Sequence, residues 1–371
     1  MAVEISDWND LDNVRNDLSG DYVLVNDLDS ETDGYAGIGD DFEPIGYIDG
    51  ESNTSEFGGS FDGGGFQISD LVVEYDDESD IALFASTDDG ALIENLSVAG
   101  SVTVTNGGLF HGGLVGYGDS GTVQNCVSHV DVTSDGDFVG GLVGDNIRGT
   151  VTDSYATASV EGDSRVGGLV GNSNGTVTES YATGSVEGND EVGGLVGGNF
   201  RIVTDSYATG SVEGGDEVGG FVGVEASNDS DEGIRRCYSY GTVTGSSSVG
   251  GFCGILGSGG LFSNEGYIFD SYVDIDESGQ DDAIGTIELE GESDVTELST
   301  SEMQGSEAET NMDGFDFANV WASVLESDGD TTADGYPILL ALDRENQLEA
   351  QDIFDPLDPP EPPENLTAEL L

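Results

Sequence analysis

Among 371 residues there are two histidines, three cysteines, seven arginines and no lysine, so few side chains could do chemistry. His111 and His129 lie outside any HExxH or other metal-ligand spacing, and stand where the pattern elsewhere has Val or Thr. They read as structural. Arg148 and Arg201 fall near equivalent places, two periods apart, in a chain crowded with carboxylates. An Arg beside acidic groups is the equipment of a polysaccharide lyase, but one per period with no partner is thin grounds for an enzyme. Asp328, Asp330 and Asp334 space oxygen ligands as calcium loops do, without the Glu that closes an EF-hand loop. No cofactor is required by any motif, leaving calcium or another cation at high salt as the candidate here. Tyr155, Tyr181, Tyr207, Tyr238 and Tyr272 recur at matching places and could offer a row of aromatic faces to sugar rings or a partner's apolar groups. The competing expectation is that these rings stack on one another and stabilise the fold.

The positions of these tyrosines come from a repeat. VGGLVG begins at 139, 166 and 192 and VGGFVG at 218, in steps of 27, 26 and 26 residues. Between them stand TVTDSYATASV from Thr150, TVTESYATGSV from Thr176 and IVTDSYATGSV from Ile202. Two β-type segments per period of this length predict stacked coils that share one core. Val, Thr and Tyr suit pleated strands, and Gly is expected to open corners at positive φ. Alternation puts Ala156, Ala158 and Val160 on one face and Tyr155, Thr157 and Ser159 on the other, which predicts small residues inside and tyrosines outside. The segment 225–233 (EASNDSDEG) is an insertion and is predicted to bulge from one wall as a polar loop.

The 76 acidic against 7 basic residues give a formal charge of -69. Such a charge repels itself in dilute buffer, where the screening length is about 10 Å, and far less in molar salt, where it is about 3 Å. The reading is a protein of an extreme halophile that unfolds or swells on dilution. Nucleic-acid binding, which needs a basic footprint, is excluded as an expectation, as is membrane insertion, since no apolar run approaches about 18 residues. Cys126 and Cys237 share a column four coils apart, about 19 Å at strand spacing, beyond the roughly 7 Å a disulfide allows. With Cys253 they read as small buried apolar residues.

Five regions follow: 1–30 as a capping helix and first strand, 31–110 as irregular coils, 111–275 as regular coils, 276–342 as a second cap with helix and strand, and 343–371 as an acidic, Pro-rich tail. The helix is expected over 6–19, with Ser6 or Asp7 as its cap and Trp8, Leu11, Val14 and Leu18 on its apolar side. In the second cap a helix from Ser301, the aromatics Phe315, Phe317 and Trp321 and a strand over 336–342 are expected. The tail is expected to be extended, the kind of segment that orders against a partner.

The words YVLVNDLD, FEPIGY, FGGSFDGGGFQISDL and LIENLSV, with the repeated VGGLVG and SYATGSV, resemble the GLUG-motif proteins. The likeness continues through 298–305, 312–321 and 335–339 and covers roughly 4–340. It implies a right-handed parallel β-solenoid with a surface or adhesive role, as found in bacterial and archaeal surface proteins and adhesins. The chain departs from that family in showing no export signal, peptidase motif or anchoring segment. The expected function is therefore non-enzymatic attachment, by a virion spike, turret or tail-fibre component of a virus of halophiles. The alternatives are an exported haloarchaeal cell-surface adhesin and, behind it, a polysaccharide-active β-helix enzyme. Expected partners are a cell-surface glycan or an S-layer-type protein, together with further copies of the chain.

Overall fold

A computed structural model describes residues 1–46, 56–76, 78–257, 265–289, 291–325, 331, 333–349 and 351. The chain divides into two units, residues 1–300 and 301–371. The first is an all-β solenoid whose strands pair in parallel, each with its counterpart one coil on. One wall is a 22-stranded sheet, the second has six strands and the third eight, so the chain makes about eight coils.

One coil shows how the sequence does this. Thr150–Thr152 runs along the large wall, and Asp153 turns the chain at φ 48°. Tyr155–Ala156 and Val160–Glu161 continue that wall. Ser164–Gly167 makes the six-stranded wall and Val170–Ser173 the eight-stranded one. Val151, Ala156, Val160, Val166, Leu169 and Val170 face inward and are buried in one apolar cluster that threads the coils. The next coil repeats the set in register, with Val151 beside Val177 and Val160 beside Val186.

The motif glycines serve a different purpose from the one the sequence predicted. A Cβ on Gly168 would lie 2.2 Å from the Gly194 carbonyl oxygen of the next coil. Backbone meets backbone there and no side chain fits. The positive-φ corners are instead made by Asp153, Glu179 and Asp205 before the tyrosines and by Phe138, Arg165 and Glu191 before the glycines.

The first corner is stitched by serines. The hydroxyl of Ser154 donates to the Thr152 carbonyl at 2.7 Å and accepts the Cys126 amide of the previous coil at 3.0 Å. Ser180 and Ser206 repeat both bonds. Cys126 and Cys237 sit in this column with their thiols buried and free, and burial raises both thiols well above their usual range. Cys253 is likewise buried and free, on another wall.

At the start, Asp7 caps the helix Trp8–Asp12 by accepting the Asp10 amide, and a 3-10 turn Asn13–Asn16 follows. The helix is shorter than predicted, but Trp8, Leu11 and Val14 all enter the apolar cluster as expected. The strand Val3–Ile5, which no pattern announced, pairs with Asp21–Leu24. At the far end the parallel walls run past residue 276: Ile284–Ile287 and Glu292–Leu298 add strands to the eight-stranded and large walls. The predicted boundary there is corrected, because the coil loses its Gly motif while keeping its register.

The helix Thr300–Met303 starts on the last residue of the first unit; in the second, Gly305–Asn311 is a helix and Trp321–Val324 pairs antiparallel with Gly335–Leu339. Phe315 stacks on Trp321 with centroids 4.5 Å apart. Arg344–Glu349, predicted as extended tail, is helical. Asp343 accepts the Asn346 amide at its start, and Leu348 is buried with Val324 and Ile338. The Pro-rich stretch beyond lies outside the described residues.

Candidate functional site

The predicted ligand row is not a surface. Tyr155, Tyr181, Tyr207, Tyr238 and Tyr272 are at most 5 % exposed. The first four rings stack with centroids 4.5, 4.8 and 5.0 Å apart and nearly parallel planes. The neighbouring Ala156, Ala182 and Ala208 join the apolar cluster, while the tyrosines lie outside it. Alternation thus separated the two faces correctly, but Tyr181 and Tyr207 have another of these four rings on both faces and Tyr155 and Tyr238 on one. The tyrosines are therefore packed between coils and not presented as a row of open faces.

Other candidates are also accounted for. His111 is fully buried between the Ser134 hydroxyl at 2.8 Å and the Glu78 carbonyl at 3.1 Å, and burial lowers its pKa to about 4, so it is neutral. His129 bonds Thr157 at 2.6 Å. Arg148 pairs with Asp119 at 2.6 Å and Arg201 with Glu232 at 3.4 Å, in separate ion pairs on the surface. Asp328 and Asp330 lie outside the described residues, and Asp334 is exposed. Among the described residues no three His, Cys, Asp or Glu side chains are placed to hold a metal ion.

The corner before the glycines presents a different picture. Its positive-φ position is filled by Phe110, Phe138, Arg165, Glu191, Glu217 and Ser248 on successive coils. Beside it on the eight-stranded wall runs a column of Ser86, Tyr117, Asp145, Asn172, Gly198, Val224 and Ile255. The inward columns barely change from coil to coil, whereas the corner runs Phe, Phe, Arg, Glu, Glu, Ser and the wall column Ser, Tyr, Asp, Asn, Gly, Val, Ile.

They combine into one patch. Phe110 packs 5.1 Å from Tyr117 and 4.9 Å from Phe138, and all three rings are partly exposed. The Arg165 guanidinium lies 5.1 Å from the Phe138 centroid and 5.2 Å from that of Phe200. It donates to Glu191 at 2.6 Å and to Asn172 at 3.4 Å, and Asn172 donates to Asp145 at 2.7 Å. Burial raises Asp145 to about 6 despite that bond. Asp80, the positive-φ residue one coil before Phe110, also rises to about 6 through burial and the charges of Glu56 and Asp145. The patch is an aromatic platform with Asp80 on one side and the bonded chain Asp145, Asn172, Arg165 and Glu191 on the other. The repeated words do not announce it; its signal in the sequence is what fails to repeat on either side of VGGLVG.

A second buried carboxylate sits at the insertion. Glu225, Ala226 and Ser227 are buried and Gly233 starts a strand of the large wall, so only 228–232 leave the wall, which corrects the expectation of a wholly polar bulge. Glu225 accepts from the Ser227 hydroxyl and amide, from Asn199 at 2.6 Å and from the Tyr267 amide at 3.4 Å. Burial outweighs these bonds and pushes its carboxyl from 4.5 up to about 7. The folded state therefore favours the protonated form. Its stability contribution is full below the unfolded value, falls as pH rises from about 4.5 to 7, and is gone above that, a loss of about 3 kcal/mol at most. Glu225→Gln, which stays neutral, should melt like the wild type near pH 4.5 and above it at pH 8. Equal pH slopes for the two proteins in molar-salt melts would sink this assignment.

Comparison with known proteins places the repeat. Residues 162–187 and 188–213 match the GLUG motif. The chain is 42% identical over 166 residues to a provisionally named Gly-rich membrane protein of Evansella cellulosilytica, covering 43% of this chain and 18% of that protein. It is 28% identical over 152 residues to halomucin of Haloquadratum walsbyi, covering 40% of this chain and 1% of halomucin. The chain thus spans less than a fifth of the length of the curated relatives it matches. A solved Bacteroides ovatus structure with the provisional name immunoglobulin A1 protease aligns over 92% of this chain and 93% of its own, at 17% identity and a TM-score of 0.44. Among the described residues no helix is long and apolar enough to cross a membrane.

Proposed function

We propose that this chain is a non-catalytic attachment module displayed at the exterior of a halophile's cell, with the variable wall of its solenoid as the contacting face. The observation that carries the reading is the contrast between columns. Interior and stacking positions are held nearly constant over the regular coils, while the corner and the eight-stranded wall beside it vary and gather half-exposed aromatic rings at Phe110, Tyr117 and Phe138. A rigid scaffold with a chemically individual stripe suits recognition better than turnover. Both histidines and the two arginines weighed for lyase chemistry are occupied in local bonds, which supports a binding role.

The virion spike, turret or fibre is the narrower setting considered from the sequence. The names of the matched relatives, a membrane protein and a halomucin, favour the cell envelope instead. Immunogold labelling and fractionation of the source organism in molar salt test this, with label expected on the envelope. Label on released virus particles would move the module to a virion, and label confined to the cytoplasm would overturn the reading.

A further inference from the structure

We infer that the ring platform of Phe110, Tyr117 and Phe138, with Asp80 and Asp119 at its margin, is a binding site for an uncharged saccharide chain; this rests on the attachment reading above. The backbone supplies the first argument. The corner needs a left-handed residue on every coil, a conformation that Asn and Asp adopt more cheaply than a bulky side chain. At the other corner the equivalent column is mostly Asx: Asn95, Asn125, Asp153, Glu179, Asp205, Arg236 and Asp270. Here the same geometry, at φ 66° and 61°, carries Phe110 and Phe138. Phenylalanine is not what the bend asks for, so an outward ring is what those positions retain.

The three rings lie on the outside of the wall, in contact with one another and absent from the apolar cluster that fills the coils. Burying them is not what stabilises the core. Aromatic faces match the apolar faces of sugar rings, and carboxylates beside them accept hydroxyl hydrogen bonds. Asp119 is oriented by its two bonds from Arg148 at 2.6 and 2.7 Å, and burial, followed by the charges of Asp119, Asp145, Glu56 and Asp80, raises the pKa of the Tyr117 hydroxyl. Asp80, Asp119 and Asp145 stand beside the rings, where an occupant would touch them and salt screens least, so nucleic acids and acidic polysaccharides are poor occupants. Arg165 does not reverse this, because Glu191 already neutralises it.

The test uses the full chain in molar salt with cellohexaose, chitohexaose, mannohexaose and laminarihexaose as probes in calorimetry, and source-cell envelopes in a sedimentation assay. At least one hexaose should bind. The Phe110→Ala/Phe138→Ala variant should bind it at least tenfold more weakly, with an unchanged melting curve within the solenoid. Phe269→Ala, on a distant coil, should bind as the wild type. A hexaose bound equally by wild type and double variant overturns the placement of the site. If no hexaose binds and envelope binding survives periodate oxidation, the occupant is not a sugar, although attachment itself stands. If the protein sediments with no envelope at all, the attachment reading falls with it.

Discussion

Moving the protein from molar salt to about 0.1 M should lower its apparent melting midpoint by more than about 10 °C, with the loss recovered on adding salt back. The reason lies in the ladders as much as in the total charge of -69. Parallel stacking in register places Glu161, Glu187 and Glu213 side by side along one wall and Asp190 beside Asp216 on another. At strand spacing, about 4.8 Å, adjacent like charges repel by somewhat under ~1 kcal/mol in water before screening. A screening length of about 3 Å removes most of that, and one of about 10 Å leaves more than half. Each neighbouring pair then costs a few tenths of a kcal/mol more in dilute buffer, and pairs one coil further apart begin to count. Summed over several ladders this reaches several kcal/mol, comparable to the net stability of a domain. The mutual repulsion is already visible locally: Glu179 is raised by burial and by Asp153 and Asp205 on the adjacent coils, and Glu217 is pushed up to about 7 by burial, Glu191 and Glu288. Circular dichroism melts across a salt series check it, and a midpoint independent of salt would remove the argument for a halophile's protein.

What could be read from the sequence follows from which interactions repeat. The inward valines and leucines and the Gly-Gly pairs meet copies of themselves one coil on, so the period alone predicts stacked parallel coils, and the structure has them. The same logic failed for the tyrosines. Alternation describes an isolated strand and says which side a residue is on, but exposure depends on what lies above and below. Four like rings at one coil step, Tyr155 to Tyr238, shield each other. It failed again for the glycines, where composition pointed to turns and the cause is contact between backbones: a Cβ on Gly140 would stand 2.0 Å from the Val143 carbonyl oxygen. The aromatic platform was hidden for the opposite reason. Phe110, Tyr117, Phe138, Arg165 and Phe200 occupy four different coils and are up to 90 residues apart, so only the stacking register brings them together. Glu225 looked like the first residue of an exposed insert because nothing in its neighbours reveals that Asn199, one coil earlier, and Tyr267, one coil later, reach it.

Removing one ring from the middle of the tyrosine stack should be among the most damaging single changes in the protein. Tyr207 lies between Tyr181 and Tyr238, 1 % exposed, with a ring on each face. Tyr207→Ala deletes a buried aromatic side chain, which costs about 3–5 kcal/mol where the surroundings cannot collapse. They cannot collapse here, because the backbones on either side are fixed by the parallel ladder through Tyr181, Tyr207 and Tyr238. Both stacking contacts go at once, each worth about 0.5–1.5 kcal/mol beyond area burial. Stability in a solenoid is a sum of coil and interface terms, so weakening the interfaces at one central coil should also uncouple the two halves and broaden or split the melt. Tyr155→Ala, at the end of the stack with a ring neighbour on one face and His129 edge-on at 6.3 Å on the other, should cost less and keep a single transition. If Tyr207→Ala melts within about 1 kcal/mol of the wild type, the stack does not hold the coils together. Saccharide binding gives the independent readout: below its melting range Tyr207→Ala should bind as the wild type does, because the platform at Phe110 and Phe138 lies on other coils and a different wall.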